Sequence, residues 1–389
     1  MTENAVDPCM VCKSTNFDTM KSVKWIITGL GPQDVHFGVC KDCGHIQQNP
    51  LPSMETIEAF YLEYSNYFVL DENYTPPPKA QLFTTKHMLS SANRLMPNKG
   101  KLYEIGCGSG IHLHYFKQDG WDVAGCEPSR DTGAQAQKLL GDCISLGFAH
   151  ECLTGQEKYD VILLSGVLEH VPAPHDLIKI AYDHLKDDGL FICQVPCARQ
   201  PHLFCPGWLA LEHLSYFSTE ILTRVLEENG FQAQEVILDD TLSAYPSISA
   251  ACRKADLYSG PQPKHHNMYS MNKQMIEDHL SIDQQHWSAV ESRFQHIDEA
   301  YIWAAGVHTA QLFSETNILE KITIKNVIDS SPLKVGHKQG PYEILSKDQF
   351  ASNYNGEYVI ISSHHFELEI AAGLKEMGIS EDKIILLYN

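Results

Sequence analysis

Three sets of residues have the types and spacing to do chemistry. The first is Glu104-Ile-Gly106-Cys107-Gly108-Ser109-Gly110, which follows the apolar run Leu102 to Ile105 and leads into Ile111 to Phe116. A strand, a glycine turn and a helix N-terminus make a site for a nucleotide-like ligand. The glycines permit a tight turn and close approach of the ligand to the backbone. A second strand, residues 121–126, ends in Glu127, whose carboxylate can accept hydrogen bonds from both hydroxyls of a ribose. A nicotinamide or flavin site is the alternative for this loop. The second set is Cys9-Met-Val-Cys12 with Cys40-Lys-Asp-Cys43. Four thiolates on two tight turns suit a tetrahedral, structural zinc ion. The third is Glu212-His213, just before a helix N-cap at Ser218. A histidine beside a carboxylate on such a loop is a candidate general base with an orienting partner.

These residues need elements to hold them. Residues 24–28 and 35–39 read as short strands flanking a Gly-Pro turn, a zinc-ribbon pattern. An aromatic cluster follows: Phe60, Tyr61, Tyr64, Tyr67, Phe68 and Tyr74, with a helix predicted over 54–64. Most of these rings suit packing between modules. Tyr67 or Tyr64 is best placed to reach an active site. Beyond Pro76-Pro77-Pro78, a helix over 79–95 leads into the glycine-loop strand. Helix 131–140 follows Glu127. Gly147-Phe148 lies where a third strand should end, with Phe148 either stacking on adenine or packing in the core. Residues 159–166 read as a fourth strand. Ligands lie beyond the carboxyl ends of strands in open α/β sheets, which places Ser165, Glu169 and His170 at the border of the reaction centre. Helix 176–185, a turn at 186–189, strand 190–195 and helix 219–229 complete a doubly wound pattern.

Past about residue 240 the pattern changes. Gly260-Pro-Gln-Pro263 reads as a hinge and 272–295 as a long amphipathic helix. Strands at 300–303, 324–328, 358–362 and 383–387 and a helix at 366–377 make a second, smaller Rossmann-like domain. Gly306, His308, Asp329 and His364 fall at its strand ends. The expected organisation is a zinc-ribbon module over 1–50, a central glycine-loop α/β domain over 51–240 with an aromatic linker at 51–78, and a C-terminal Rossmann-like domain over 241–389.

The order E-x-G-x-G-x-G, strand, acid resembles class I S-adenosylmethionine (SAM) methyltransferases. The three parts together resemble the sugar C-methyltransferases of deoxysugar biosynthesis. The motifs that carry this are the paired C-x-x-C knuckles, EIGCGSG, GCEPS at 125–129, GVLEHV at 166–171, QVP at 194–196 and EHLSYFS at 212–218. The resemblance implies a class I Rossmann-like fold, SAM as cofactor and structural zinc on Cys9, Cys12, Cys40 and Cys43. Glu104, Gly106, Cys107, Gly108, Gly110, Glu127, Phe148 and Ser165 would contact SAM. It implies C-methylation of a nucleotide-linked 4-keto-6-deoxy sugar. His213 matches the family's base and Glu212 its neighbour. His170 matches a histidine near the sugar, and Tyr67 a linker tyrosine. O- or N-methylation of a sugar or other small metabolite is the alternative on the same scaffold, and a non-catalytic zinc-ribbon interaction protein is the alternative of another class. Three sites depart from the family, five residues in all: Ala210 replaces a tyrosine, Val307-His308 a lysine-glycine, and Ser363-His364 a Trp-Asn.

Composition bounds the partners. The formal charge of −20 repels polyphosphate backbones and argues against nucleic acid. No apolar run approaches a membrane span and MTENAVDP lacks signal-peptide character, so the expected setting is cytoplasmic. There, twelve cysteines suit metal binding and free thiols better than disulfides. The expected partner is a small molecule, and the chain is expected to be a monomer.

Overall fold

The near-continuous apolar runs of the central region become parallel strands buried on both faces. This computed structural model describes residues 6–27, 30–60, 83–240, 246–255, 268–332 and 334–388. The tyrosine cluster from Tyr61 onward, including Tyr64 and Tyr67, and the Gly260-Pro hinge lie outside the described residues. Two compact units are formed: residues 1–20, 37–203 and 212–275, and residues 21–36, 204–211 and 276–389.

The first unit begins with β1 (Phe17–Ile27) and β2 (Gly31–Cys40), whose outer halves belong to the second unit, and β3 (Ile46–Gln48). Ser53 caps α1 (Met54–Ala59) by accepting the Thr56 N–H. Next come α2 (Phe83–Leu95), β4 (Lys101–Ile105), α3 (Ile111–Gln118), β5 (Asp122–Glu127), α4 (Arg130–Leu140), β6 (Ile144–Leu146) and α5 (Ala149–Cys152). These lead to β7 (Tyr159–Ser165), α6 (Pro174–His184), β8 (Leu185–Pro196), β9 (Ser215–Tyr216), α7 (Thr219–Glu228), β10 (Phe231–Asp239) and β11 (Ser247–Lys254).

The main sheet has the order β10-β11-β8-β7-β4-β5-β6. Five strands run parallel, and β11 is antiparallel to both β8 and β10. Alternate residues of each strand face opposite sides. Ile105, Ile162, Leu164, Phe191 and Cys193 therefore enter one core, and Leu102, Val161, Leu163, Leu190 and Ile192 the other. The strand order reverses at β4, between β5 and β7, which is where an open α/β sheet forms its ligand crevice.

Two sequence expectations change here. The expected turn at 186–189 lies within β8. Tyr159 pairs with Leu185 and Val161 with Leu190, so extra residues bulge between them. The sheet also continues through β11, past residue 240 where a domain boundary was expected. The alternation of 247–254 is masked by small buried residues such as Ala250 and Ala251.

A smaller sheet of order β1-β2-β3-β9 joins the cysteine-bearing hairpin to residues 215–216. The second unit adds α8 (Tyr269–Ser292, mostly in this unit), β12 (Glu299–Trp303), α9 (Val307–Glu315), α10 (Ile318–Lys321), β13 (Thr323–Ile328), β14 (Lys338–Gln339), β15 (Tyr342–Leu345), α11 (Lys347–Asn353), β16 (Tyr358–Ile361), α12 (Glu367–Glu376) and β17 (Ile384–Leu386). Its sheet order is β14-β15-β13-β12-β16-β17, parallel except for β14. The β14–β15 pair and α11 were not expected from sequence. Among the described residues no helix is long and apolar enough to cross a membrane.

The glycine loop supplies a direct test of this packing. Gly106 has φ +67°, and a Cβ there would lie 2.6 Å from Val167 Cγ2. Gly108 has φ +53° with open space around it. Gly106→Ala should cost ~2–4 kcal/mol, more than Gly108→Ala at ~1 kcal/mol, because only the first adds a clash to the left-handed strain. Urea denaturation of both variants checks this; equal losses would refute it.

Candidate functional site

The loop between β4 and α3 is held by backbone bonds. Cys107 N–H donates to Cys126 O at 2.9 Å, which locks the loop to the end of β5. Gly110, at φ +77°, forms the N-cap of α3. Glu127 stands where β5 ends. Its Oε2 accepts the Gly108 N–H and its Oε1 the Ser129 N–H, each at 2.9 Å. Each oxygen retains a lone pair for a further donor. Burial raises the Glu127 pKa, and these two backbone bonds oppose that rise.

Glu104 is fully buried on β4, and both of its carboxyl oxygens lack a hydrogen-bond partner. Burial, with the nearby Glu127 charge, pushes its pKa well up. A buried carboxyl with no donor is costly. A cationic ligand group in the crevice would relieve it, and the ammonium and sulfonium of SAM supply that charge type. The residues present therefore fit SAM. Ser165, at the end of β7, donates to Gln194 Oε1 at 2.9 Å. Phe148 is half-buried, its ring stacked on His150 at a centroid distance of 5.9 Å. Cys107 is a buried thiol that burial makes reluctant to ionise.

The second cluster lies past the end of β7. The turn Leu168–His170 brings Glu169 and His170 to His213, and their donor atoms all lie within 4.8 Å of one another. Glu169 is 3% exposed, and its Oε1 is 3.7 Å from His170 Nε2. Burial raises its pKa to about 8. His170 Nδ1 donates to the Glu212 carbonyl at 2.8 Å, which leaves Nε2 facing Glu169. The His170 and His213 rings meet edge to face, 4.8 Å between centroids. Burial, and then the neighbouring His170, holds the His213 pKa well below its usual value. Its Nδ1 is buried without a partner.

Sequence placed Glu212 as the carboxylate behind His213. In the structure Glu212 meets the cluster through its carbonyl, and the carboxyl group among the histidines is that of Glu169. The signal for Glu169 was present in LEH at 168–170, but sequence separation from 213 hid the pairing. Tyr67 lies outside the described residues.

Cys9, Cys12, Cys40 and Cys43 converge, with Cys9 and Cys43 Sγ 3.7 Å apart and Cys12 and Cys40 Sγ 3.5 Å apart. A tetrahedron with Zn–S bonds of ~2.3 Å has edges of about 3.8 Å, so the four sulfurs fit zinc. The His45 N–H points to Cys43 Sγ at 3.4 Å, a support for a metal thiolate. All twelve cysteines are free of disulfides.

In the second unit, Gly306 opens α9, and His308 Nδ1 lies 3.0 Å from the Tyr388 hydroxyl. The His364 ring packs edge-on against Tyr388. Asp329 Oδ2 accepts the Ala305 N–H and pairs with Lys334 at 3.1 Å. These partners account for the strand-end residues as local structure.

Residues 81–236 match the family model described as Methyltransferase domain, and residues 297–385 match one described as C2185-like, N-terminal. The ubiquinone biosynthesis O-methyltransferase of Glaesserella parasuis is 34% identical over 100 residues, 23% of this chain and 42% of that one. The C-methyltransferase NovU of Streptomyces niveus is 28% identical over 160 residues, 39% of this chain and 38% of that one. The dTDP-3-amino-3,4,6-trideoxy-alpha-D-glucopyranose N,N-dimethyltransferase of Streptomyces venezuelae is 24% identical over 120 residues, 30% of this chain and 50% of that one. The chain thus spans half or less of the length of these relatives. With that match and the sheet order above, residues 81–236 carry a methyltransferase domain of the class I, SAM-dependent, Rossmann-like fold.

Proposed function

We propose that the protein transfers a methyl group from SAM to carbon in a nucleotide-linked keto-deoxysugar. The observation that carries the SAM half is the unpartnered, buried Glu104 beside a glycine loop anchored by Glu127. The observation that supports proton removal is the His213 imidazole set against His170 and Glu169. SAM supplies an electrophilic methyl group. A sugar carbon becomes a nucleophile only when it loses a proton next to a carbonyl. His213 is neutral near pH 7 and has a lone pair to accept that proton. The imidazolium so formed lies beside the Glu169 carboxyl, whose oxygen can accept its N–H without any further proton moving. His170 is held by the Glu212 carbonyl and fixes the ring against which His213 packs.

The relatives named above act on oxygen, carbon and nitrogen according to their names, so O- or N-methylation remains the second reading. SAM with a carbon-13 methyl group, offered with nucleotide-linked keto- and amino-sugars, separates them by NMR. A new aliphatic C-methyl signal is expected; an O- or N-methyl signal would move the protein to the second reading. His213→Ala should lower C-methylation by about 10²–10⁴-fold with SAM affinity retained. Full activity in that variant would remove His213 as base.

Two imidazoles and a carboxylate are also a donor set for a divalent cation. Ligation through His213 would use the lone pair that proton removal needs, so the two roles exclude each other. The proposal therefore expects metal at the cysteines only. Elemental analysis should find one zinc per chain, lost in Cys40→Ser and kept in His213→Ala. Two metals per chain, falling to one in His213→Ala, would overturn the base assignment.

Glu169 predicts a pH signature. Its folded pKa is raised from 4.5 to about 8, so its stabilising contribution is full below about pH 4.5 and is lost as pH rises through 8. Glu169→Gln keeps the shape and removes the titration. Relative to the unsubstituted chain, the variant should gain about 4 kcal/mol between pH 4.5 and 8.5. Denaturant titrations at the two pH values check it; a pH-independent difference would show that Glu169 is not held protonated.

A further inference from the structure

We propose that the cysteine module positions His213, through Gln48, His45 and Ser215, so that metal occupancy at the four cysteines sets the competence of the reaction centre. The inference rests on His213 as the base. Its structural part stands on contacts that do not involve any substrate.

The path from cysteines to histidine is short. Cys43 Sγ faces the His45 N–H at 3.4 Å. The His45 ring reaches Ser215 Oγ with Nε2 at 3.0 Å. Ser215 Oγ also donates toward Met10 Sδ at 3.1 Å, and Met10 lies between Cys9 and Cys12. Ser215 is two residues from His213.

Gln48 adds a bracket around the peptide that links His213 to Leu214. Its side-chain Nε2 donates to His213 O at 3.0 Å, and its backbone N–H donates to Leu214 O at 2.9 Å. β3 pairs with β9 through Ile46–Tyr216 and Gln47–Ser215. The Gln47 side chain in turn accepts the Met10 N–H at 2.8 Å. Each of these groups is on a strand or knuckle that the cysteines hold closed.

The other edge of the same segment is held differently. Leu214 N–H donates to Glu169 O at 2.8 Å, and Ala198 N–H donates to Phe217 O at 2.7 Å. Those partners belong to the methyltransferase sheet and its loops. Loss of metal therefore frees one edge of the His213 segment and leaves the other attached. The glycine loop and Glu127 are held by β4 and β5 and keep their geometry. A misplacement of the base of about 1 Å is enough to cost roughly a hundredfold in rate.

The test uses the full chain labelled with nitrogen-15 histidine, the His213 signal being assigned by its loss in His213→Ala. Metal is removed with a chelator. The expected result is a displaced or broadened His213 signal with SAM affinity within about twofold, and recovery of the signal when zinc is restored. An unmoved His213 signal in the metal-free chain would overturn the proposal. If metal removal also abolishes SAM binding, Gln48→Glu decides, since it keeps size and removes the Nε2 donor. A shifted His213 signal, and kcat about tenfold lower at unchanged KM for SAM, would support positioning. An unshifted signal in Gln48→Glu would overturn it. Activity retained in His213→Ala would instead sink the base reading and leave the contact path intact.

Discussion

Two strand pairs, Ile46 with Tyr216 and Gln47 with Ser215, join parts of the chain that are far apart in sequence. On one side lie the cysteine knuckles. On the other is the segment that begins at Glu212-His213. Neither partner is long enough to be a stable strand alone, because β3 has three residues and β9 two. Each is ordered by the other and by the bonds around them. The position of His213 is thus a tertiary property. The parallel sheet provides Glu169 and His170 at the end of β7, and the small antiparallel sheet brings His213 to them.

Charge is distributed by the same logic. The glycine-loop crevice gathers two buried carboxyls, Glu104 and Glu127. The second cluster gathers one carboxyl and two neutral imidazoles. A cationic ligand suits the charge of the first, and in the proposed reaction the second handles a proton in transit. The two sites stand at the ends of adjacent parallel strands, β4 and β7. That adjacency comes from the reversal of strand order at β4 and requires no special loop.

The sequence made the glycine loop, Glu127, the knuckles and most strands of the main sheet legible, because each depends on local periodicity or on fixed spacing. Strand β11 escaped notice because Ser247–Cys252 is a run of small, buried residues without clear alternation. The bulge at 186–189 reads as a turn because Asp-Asp-Gly is turn chemistry; only the register against β7 shows that the strand continues through it. The carboxyl partner of the histidines was misread for a related reason. Glu212 is adjacent to His213 in sequence, but it sits in a turn and meets His170 through its backbone carbonyl. Glu169, far away along the chain, is adjacent in space.

The placement of the four cysteines has a consequence for how the protein can vary. Cys9 and Cys12 precede β1, Cys40 ends β2 and Cys43 follows it, so all four sit at the base of the hairpin. The closed loop between the knuckles can change length with only a logarithmic entropic cost. The described outer residues of that hairpin, 21–27 and 30–36, belong to the second compact unit, with Trp25 and Val35 buried, so an exchange there acts on the packing of that unit while the knuckles and β3 belong to the first.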